Sequence, residues 1–159
     1  MPPSDEAKPR PVRRRILVVD DEDVLRELMR RWLTRAGHEV IEADCVAGGI
    51  AMIEGAREAI DLVVTDLRMP GGDGSRLIAW TRRSLPGLPI LCVTGFAEEA
   101  PPGVPVLEKP VTAAQLVAKV TELLEARYGA DADLAPGIKV ASASESGGQV
   151  TAWKDTTPK

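Results

Sequence analysis

Histidine is nearly missing from this chain and aromatic residues are scarce: one His, one Phe, one Tyr and three Trp in 159 residues. A single histidine excludes a His-dependent metal centre or catalytic triad, and His38, following Gly37 at an apparent helix end, reads as a surface turn residue. With so few rings the core must be built from Val, Leu, Ile and Ala. Cys45 and Cys92 stand in apolar contexts without a CxxC spacing. They read as small buried hydrophobes in a reducing compartment rather than as a disulfide or metal pair. No apolar run approaches the roughly 20 residues of a membrane span. The lead MPPSDEAKPRPVRRR lacks the apolar stretch of a secretion signal, so the expectation is a cytoplasmic protein without membrane association. Neither sign of charge dominates, with 24 acids against 20 bases. A DNA-binding footprint, which shows as a basic domain, is therefore not expected, and Arg13, Arg14 and Arg15 read as a solvated run flanking the fold.

What is present is an alternation. ILVVD (16–20) is a continuous apolar run of the kind buried on both faces of a sheet. Residues 23–36 then place Val24, Leu25, Leu28, Met29, Trp32, Leu33 and Ala36 at helical spacing, closed by Gly37. HEVIEA (38–43) predicts a second strand, and 46–59 a second helix weakened by Gly48, Gly49 and Gly55. LVVTD (62–66) is a third strand, 74–84 a third helix carrying Leu77, Ile78 and Trp80, PILCVT (89–94) a fourth strand and VPVLE (104–108) a fifth. Residues 112–128 form a last amphipathic helix. Strand–helix repetition predicts an α/β domain, a parallel sheet with helices on both faces and right-handed crossovers. Residues 1–14 read as a flexible lead and 129–159, poor in periodicity, as a mostly disordered tail in which Trp153 stands alone.

In such sheets ligands bind beyond the carboxyl ends of the strands. Strand one ends in Asp20 and Asp21, strand three in Asp66, strand four in Thr94, and strand five in Glu108, Lys109 and Pro110. Singly, each has a plain explanation as a helix cap or a turn residue. Together they put three carboxylates, a hydroxyl and an ammonium on one sheet edge. Carboxylates about 4 Å apart repel by a few kcal/mol at an effective dielectric near 20, so the fold needs a positive partner there. An all-oxygen donor set suits Mg²⁺. A lysine and a hydroxyl aimed at the same point are equipment for phosphoryl transfer, and a carboxylate can become an acyl phosphate.

The ordered motifs ILVVDDED, VVTDLRMPGGDG, LCVTG and VLEKP resemble those of the receiver domain of two-component response regulators, over about residues 14–128. The resemblance implies a doubly wound, flavodoxin-like sheet of order 2-1-3-4-5, with the receiver domain at 15–128. It implies that Asp66 accepts the phosphoryl group, that Asp21 and Asp66 ligate Mg²⁺ directly and Asp20 mainly through water, and that Arg68 offers its backbone carbonyl to the metal. Thr94 resembles the switch hydroxyl, Lys109 would pair with a phosphoryl oxygen, and the Lys109–Pro110 bond is expected to be cis. Arg68 and Phe96 lie where they would gate water's approach to the phosphoryl group.

The departures are as informative. Receivers usually carry Tyr or Phe three residues before the lysine; here Val106 occupies that position. Only fourteen residues, three of them proline, separate Thr94 from Lys109, so helix four is expected to shrink to a turn around Ala97–Ala100. Gly95 replaces the commoner alanine. Shortened versions of this kind resemble receivers of hybrid sensor kinases and stand-alone receivers. The resemblance implies a sensor histidine kinase or histidine phosphotransfer protein as donor and a downstream protein as target, with no enzymatic turnover beyond self-phosphorylation and self-dephosphorylation. Arg26, Arg30 and Arg31 on helix one, beside the acidic pocket, are expected to be exposed, either meeting an acidic surface of the donor or serving only solubility. Two alternatives stand beside this reading. One is a pseudo-receiver docking module; the other, weaker, is a haloacid-dehalogenase-type phosphatase, whose nucleophile comes first rather than third.

Overall fold

The computed structural model describes residues 13–56, 59–70 and 72–129. Five parallel strands, β1 (Arg15–Val19), β2 (Glu39–Ala43), β3 (Leu62–Thr65), β4 (Ile90–Thr94) and β5 (Val106–Glu108), form one sheet in the order β2-β1-β3-β4-β5. The parallel α/β sheet is what the alternation predicts, and its doubly wound, flavodoxin-like order is what the receiver resemblance implies. Among the described residues three helices connect strands, α1 (Asp23–Arg35), α2 (Val46–Ala56) and α3 (Gly74–Ser84), and a fourth, α4 (Ala113–Tyr128), follows β5. The central strands are apolar on both faces because both faces are covered. Leu17, Val19, Val63 and Cys92 pack with α2 and α3, through Val46, Ile53, Leu77 and Ile78. Ile16, Val18, Leu62, Val64, Leu91 and Val93 pack with α1 and α4, through Met29, Leu33, Leu116 and Val120.

Local chemistry fixes the ends of the helices. Gly37 takes φ +103°. Its N–H donates to the Thr34 carbonyl and that of His38 to Leu33, a left-handed closure that satisfies the last turn of α1. Thr112 and Gln115 form a reciprocal capping box at the start of α4, and Asp73 caps α3 by accepting from the Ser75 N–H. Gly49, which weakens α2 as a helix, has a packing role: a Cβ there would stand 3.1 Å from Val19 Cγ2, so glycine lets α2 lie close on β1.

The connector between β4 and β5 contains a single 3-10 turn, Ala97–Glu99, so helix four is shortened as the fourteen-residue spacing requires. The Lys109–Pro110 bond is cis. Three expectations need correction. His38 is buried, only 9% exposed, because its ring is turned inward so that Nδ1 accepts the Arg14 N–H at 3.3 Å. Val24 and Leu28, counted in the buried stripe of α1, are exposed, Val24 by 76%; the helix contacts the sheet through a narrower face centred on Met29 and Leu33. α2 is described over Val46–Ala56, and residues 57 and 58 of the expected 46–59 helix lie outside the described residues. β5 begins at Val106 rather than 104. The N-terminal lead up to residue 12 and the tail beyond Gly129, Trp153 included, lie outside the described residues.

Candidate functional site

Parallel pairing carries β1 and β3 to the same rim. The Asp66 N–H donates to the Val19 carbonyl at 3.2 Å and the Asp20 N–H to Ala43 at 3.1 Å, so the ladder is still closing where the acids begin. Beyond β4, the Lys109 N–H donates to the Thr94 carbonyl at 2.9 Å, which brings the fifth strand's lysine to that edge. Asp20, Asp21 and Asp66 consequently offer carboxylate oxygens within 4.8 Å of one another. The three acids singled out by sequence are together.

Asp20 is fully buried. Its Oδ1 accepts the Glu22 N–H at 2.8 Å. Its Oδ2 is buried with no hydrogen-bond partner among the described residues, although the Lys109 ammonium stands 3.3 Å away at ion-pair distance. An orphaned, buried carboxylate oxygen is costly, and burial accordingly raises the Asp20 pKa above its ordinary value, against the opposing Glu22 N–H and Lys109 charge and with the like charge of Asp66. Asp66 is 6% exposed. Its Oδ1 accepts the Leu67 N–H at 2.6 Å and its Oδ2 accepts from Lys109 Nζ at 2.8 Å. Burial alone would lower the Lys109 pKa, but hydrogen bonds to Asp66 and Glu22, with the nearby Asp20 charge, outweigh it and raise it. Lys109 is thus a held cation. The Asp20 Oδ2, which makes no hydrogen bond among the described residues, and the all-oxygen set fit a hard divalent ion such as Mg²⁺, with Asp20, Asp21 and Asp66 as the residues able to hold it.

The remaining residues predicted from sequence divide into those that face the acids and those engaged elsewhere. Thr94 is buried at the end of β4, on the same rim, and its hydroxyl oxygen accepts the Phe96 N–H at 3.0 Å. Arg68 opens a short antiparallel ribbon, Arg68–Met69 against Gly72–Asp73. Its side chain turns to the connector: Nε donates to Glu99 Oε1 at 3.0 Å, a second bond runs from Nη2 to Oε2, and the guanidinium lies 3.7 Å above the Phe96 ring. Val106 packs half-buried beside the core, filling the aromatic's position with an aliphatic group. Cys92 is buried below the site, where burial pushes its thiol pKa up to about 12, and both cysteines are free. The three helix-one arginines are not free cations. Arg26 donates to the Asp20 carbonyl at 2.7 Å, to Asp23 at 2.7 Å and to Glu42 at 3.1 Å. Arg30 pairs with Glu42 at 3.2 Å and Arg31 with Glu27 at 3.0 Å. Intrahelical spacing and the neighbouring β2 supply acids that the sequence alone did not assign to them.

Sequence reasoning passed over Glu22, Glu99 and Gly74. Glu22 Oε1 accepts from Lys109 Nζ at 2.8 Å across 87 residues, and nothing local signals so distant a pairing. Glu99 is found only once the 3-10 turn is placed. Gly74 stands in a glycine-rich turn, where close approach to Asp66 is indistinguishable from ordinary turn chemistry.

Comparison with known proteins agrees with this geometry. A family model described as the response regulator receiver domain matches residues 16–121. The receiver protein CpdR of Brucella abortus is 31% identical over 118 residues, 70% of this chain and 97% of CpdR. The response regulator FleR of Pseudomonas aeruginosa is 37% identical over 82 residues, 52% of this chain but only 17% of FleR. Among solved structures, the receiver domain of the hybrid histidine kinase CckA superposes with TM-score 0.63 at 34% identity, covering 69% of this chain and 98% of that one. The response regulator TrrA of Thermotoga maritima, in complex with Mg²⁺ and BeF, does so with TM-score 0.64 at 27% identity, covering 69% and 98%. On its sheet order, its acidic rim and these matches together, the chain belongs to the response regulator receiver domain family.

Proposed function

We propose that this chain accepts a phosphoryl group on Asp66 from a sensor histidine kinase or histidine phosphotransfer protein and signals by protein–protein contact, in the cytoplasm and without turnover of an external substrate. The observation that carries the reading is Lys109 Nζ on Asp66 Oδ2 at 2.8 Å beside the orphaned Asp20 Oδ2. A purely structural rim gains little from a buried carboxylate oxygen that makes no hydrogen bond and shares one lysine, 3.3 Å away, with two other acids. CpdR, a receiver protein that this chain matches over almost its whole length, supports a stand-alone role, and TrrA's complex with Mg²⁺ and BeF supports the metal.

In this reading an Asp66 oxygen forms the O–P bond while the P–N bond of phosphohistidine breaks. The imidazole nitrogen leaves with the electron pair. A divalent ion held by Asp20, Asp21 and Asp66, with the Arg68 carbonyl, supplies charge neutralisation for the acids and the phosphoryl oxygens when bound. Lys109 exchanges Asp66 Oδ2 for a phosphoryl oxygen, and Thr94 gives up the Phe96 N–H to turn its hydroxyl the same way. Val24 and Leu28, exposed on α1 next to the acids, offer the donor an apolar docking strip in place of the paired arginines.

The test is incubation with Mg²⁺ and phosphoramidate or acetyl phosphate, read by intact mass and peptide mapping. One phosphoryl group on Asp66, absent in Asp66→Asn, supports the reading. The pseudo-receiver alternative is favoured by Val106, which cannot act as a switch aromatic; it predicts no mass gain. Steady turnover of small phosphoesters would instead revive the phosphatase reading.

A further inference from the structure

Glu22 occupies the N-cap position of α1, yet its side chain makes no capping hydrogen bond. Ser, Thr, Asp or Asn is preferred there, and a missing cap leaves the first turn of the helix less stable. The carboxylate reaches instead to Lys109 Nζ at 2.8 Å, while remaining 60% exposed at the mouth of the site. The lysine therefore stands between an inner acceptor, Asp66 Oδ2, also at 2.8 Å, and an outer one, Glu22. Asp20 Oδ2 lies at 3.3 Å as a third negative neighbour.

Resting on the reading of Asp66 as phosphoacceptor, we propose that Glu22 is a positioning residue that competes with the incoming phosphoryl group for Lys109 and so holds down the rate of phosphorylation. An ammonium has three donors and no acceptor. Once Asp66 carries a phosphoryl group, the new negative oxygens lie on the outer side of the carboxylate, where Glu22 stands. Lys109 then exchanges partners outward, and Glu22 is the group it must release or share. A helix-capping residue has no such effect on the lysine.

The experiment uses the full chain with saturating Mg²⁺ and phosphoramidate, following the mass gain on Asp66. In this donor the nitrogen is already protonated, so ammonia leaves with the P–N electron pair as the Asp66 O–P bond forms. Glu22→Gln removes the charge, and Glu22→Ser removes the reach to Lys109 while restoring a good N-cap. Both are expected to phosphorylate about three- to tenfold faster than wild type, the range one modest hydrogen bond spans. The gain should narrow but not vanish from 0.1 to 1 M NaCl, over which the Debye length falls from about 10 to 3 Å, because Glu22 is exposed while Lys109 is mostly sheltered. Rates equal to or below wild type overturn the proposal. A gain that vanishes at 1 M salt reduces Glu22 to a general field and overturns it too, as do rates that follow the variants' melting temperatures. If wild type gains no mass, Asp66 is not the acceptor and the proposal falls with it; if wild type gains mass and the variants match it, only the role of Glu22 fails.

Discussion

Gly74 passes so close to Asp66 that a Cβ on it would stand 1.8 Å from the Asp66 carbonyl oxygen and 2.8 Å from its carbonyl carbon. Both neighbours are backbone atoms, so no side-chain rotation relieves the clash. Gly74→Ala must therefore shift either the start of α3 or the backbone that sets the Asp66 carboxylate. Overpacking of this kind typically costs about 1–3 kcal/mol. The expected outcome is a melting temperature lower by several degrees and loss of most phosphoryl acceptance; an alanine variant with wild-type stability and wild-type phosphorylation would contradict the contact.

Asp20 gives a prediction with a definite pH sign. Its folded-state pKa is raised, first by burial, so the neutral form is favoured by folding. That contribution is fully present below the ordinary carboxylate pKa and is lost as pH rises through the raised folded value. Asp20→Asn, which keeps a neutral side chain at every pH, is thus expected to melt close to wild type near pH 3. It should melt higher than wild type at pH 7 without metal, by on the order of 1 kcal/mol for an orphaned buried acceptor. Added Mg²⁺ should invert the order, since ligand binding stabilises only the chain that binds it. Thermal melts across pH, with and without Mg²⁺, check both halves.

Much of this site was legible because strands buried on both faces leave continuous apolar runs, and whatever follows such a run stands at the ligand-binding rim. ILVVDD, VVTD, CVTG and VLEKP carry that signal in four short stretches, and Asp20, Asp21, Asp66, Thr94 and Lys109 could be placed from it. The missing helix was equally legible, because fourteen residues with three prolines do not fit a helix and two loops. What failed was whatever depends on which neighbour a side chain meets. Val24 and Leu28 obey the helical period but fall outside the face that α1 buries. His38 looked like a turn residue until the Arg14 N–H claimed its ring nitrogen. Arg26 looked free until Asp23, Glu42 and the Asp20 carbonyl converged on it. Periodicity reports burial against an average partner; long-range pairing has no such local period.

Lys109→Ala separates two roles of the lysine. Its ammonium neutralises the apo acids, with Asp66 Oδ2 and Glu22 Oε1 each at 2.8 Å, and in the proposed mechanism it also takes a phosphoryl oxygen. If the second role dominates, Lys109→Ala should slow phosphorylation by phosphoramidate at least tenfold while changing Mg²⁺ affinity by only a few-fold. Metal affinity should if anything rise, because a competing cation has gone. Calorimetric Mg²⁺ titration beside the mass assay decides, and equal losses in both would confine Lys109 to balancing charge.

In the proposed mechanism Arg68, Phe96 and Glu99 set how long an aspartyl phosphate lasts. The guanidinium lies 3.7 Å above the Phe96 ring and is held at Glu99 Oε1 by Nε at 3.0 Å, so a segment two residues past Asp66 is tied to the connector that replaces helix four. Hydrolysis needs water to approach phosphorus opposite the Asp66 oxygen, and the proposed gate is this stack, built from residues two past Asp66 and two past Thr94. Planarity and charge let Arg serve both partners at once, which Lys would not reproduce. Phe96→Ala opens the lower face and Arg68→Ala removes the cover; each should shorten the phosphorylated lifetime by about two- to fivefold. Glu99→Gln leaves the ring contact but loosens the ion pair, so its lifetime should fall between those of wild type and Arg68→Ala, with the gap to wild type narrowing at high salt as the exposed pair is screened. Decay of the phosphorylated mass after donor removal measures all three, and unchanged lifetimes in both Arg68→Ala and Phe96→Ala would refute the gate.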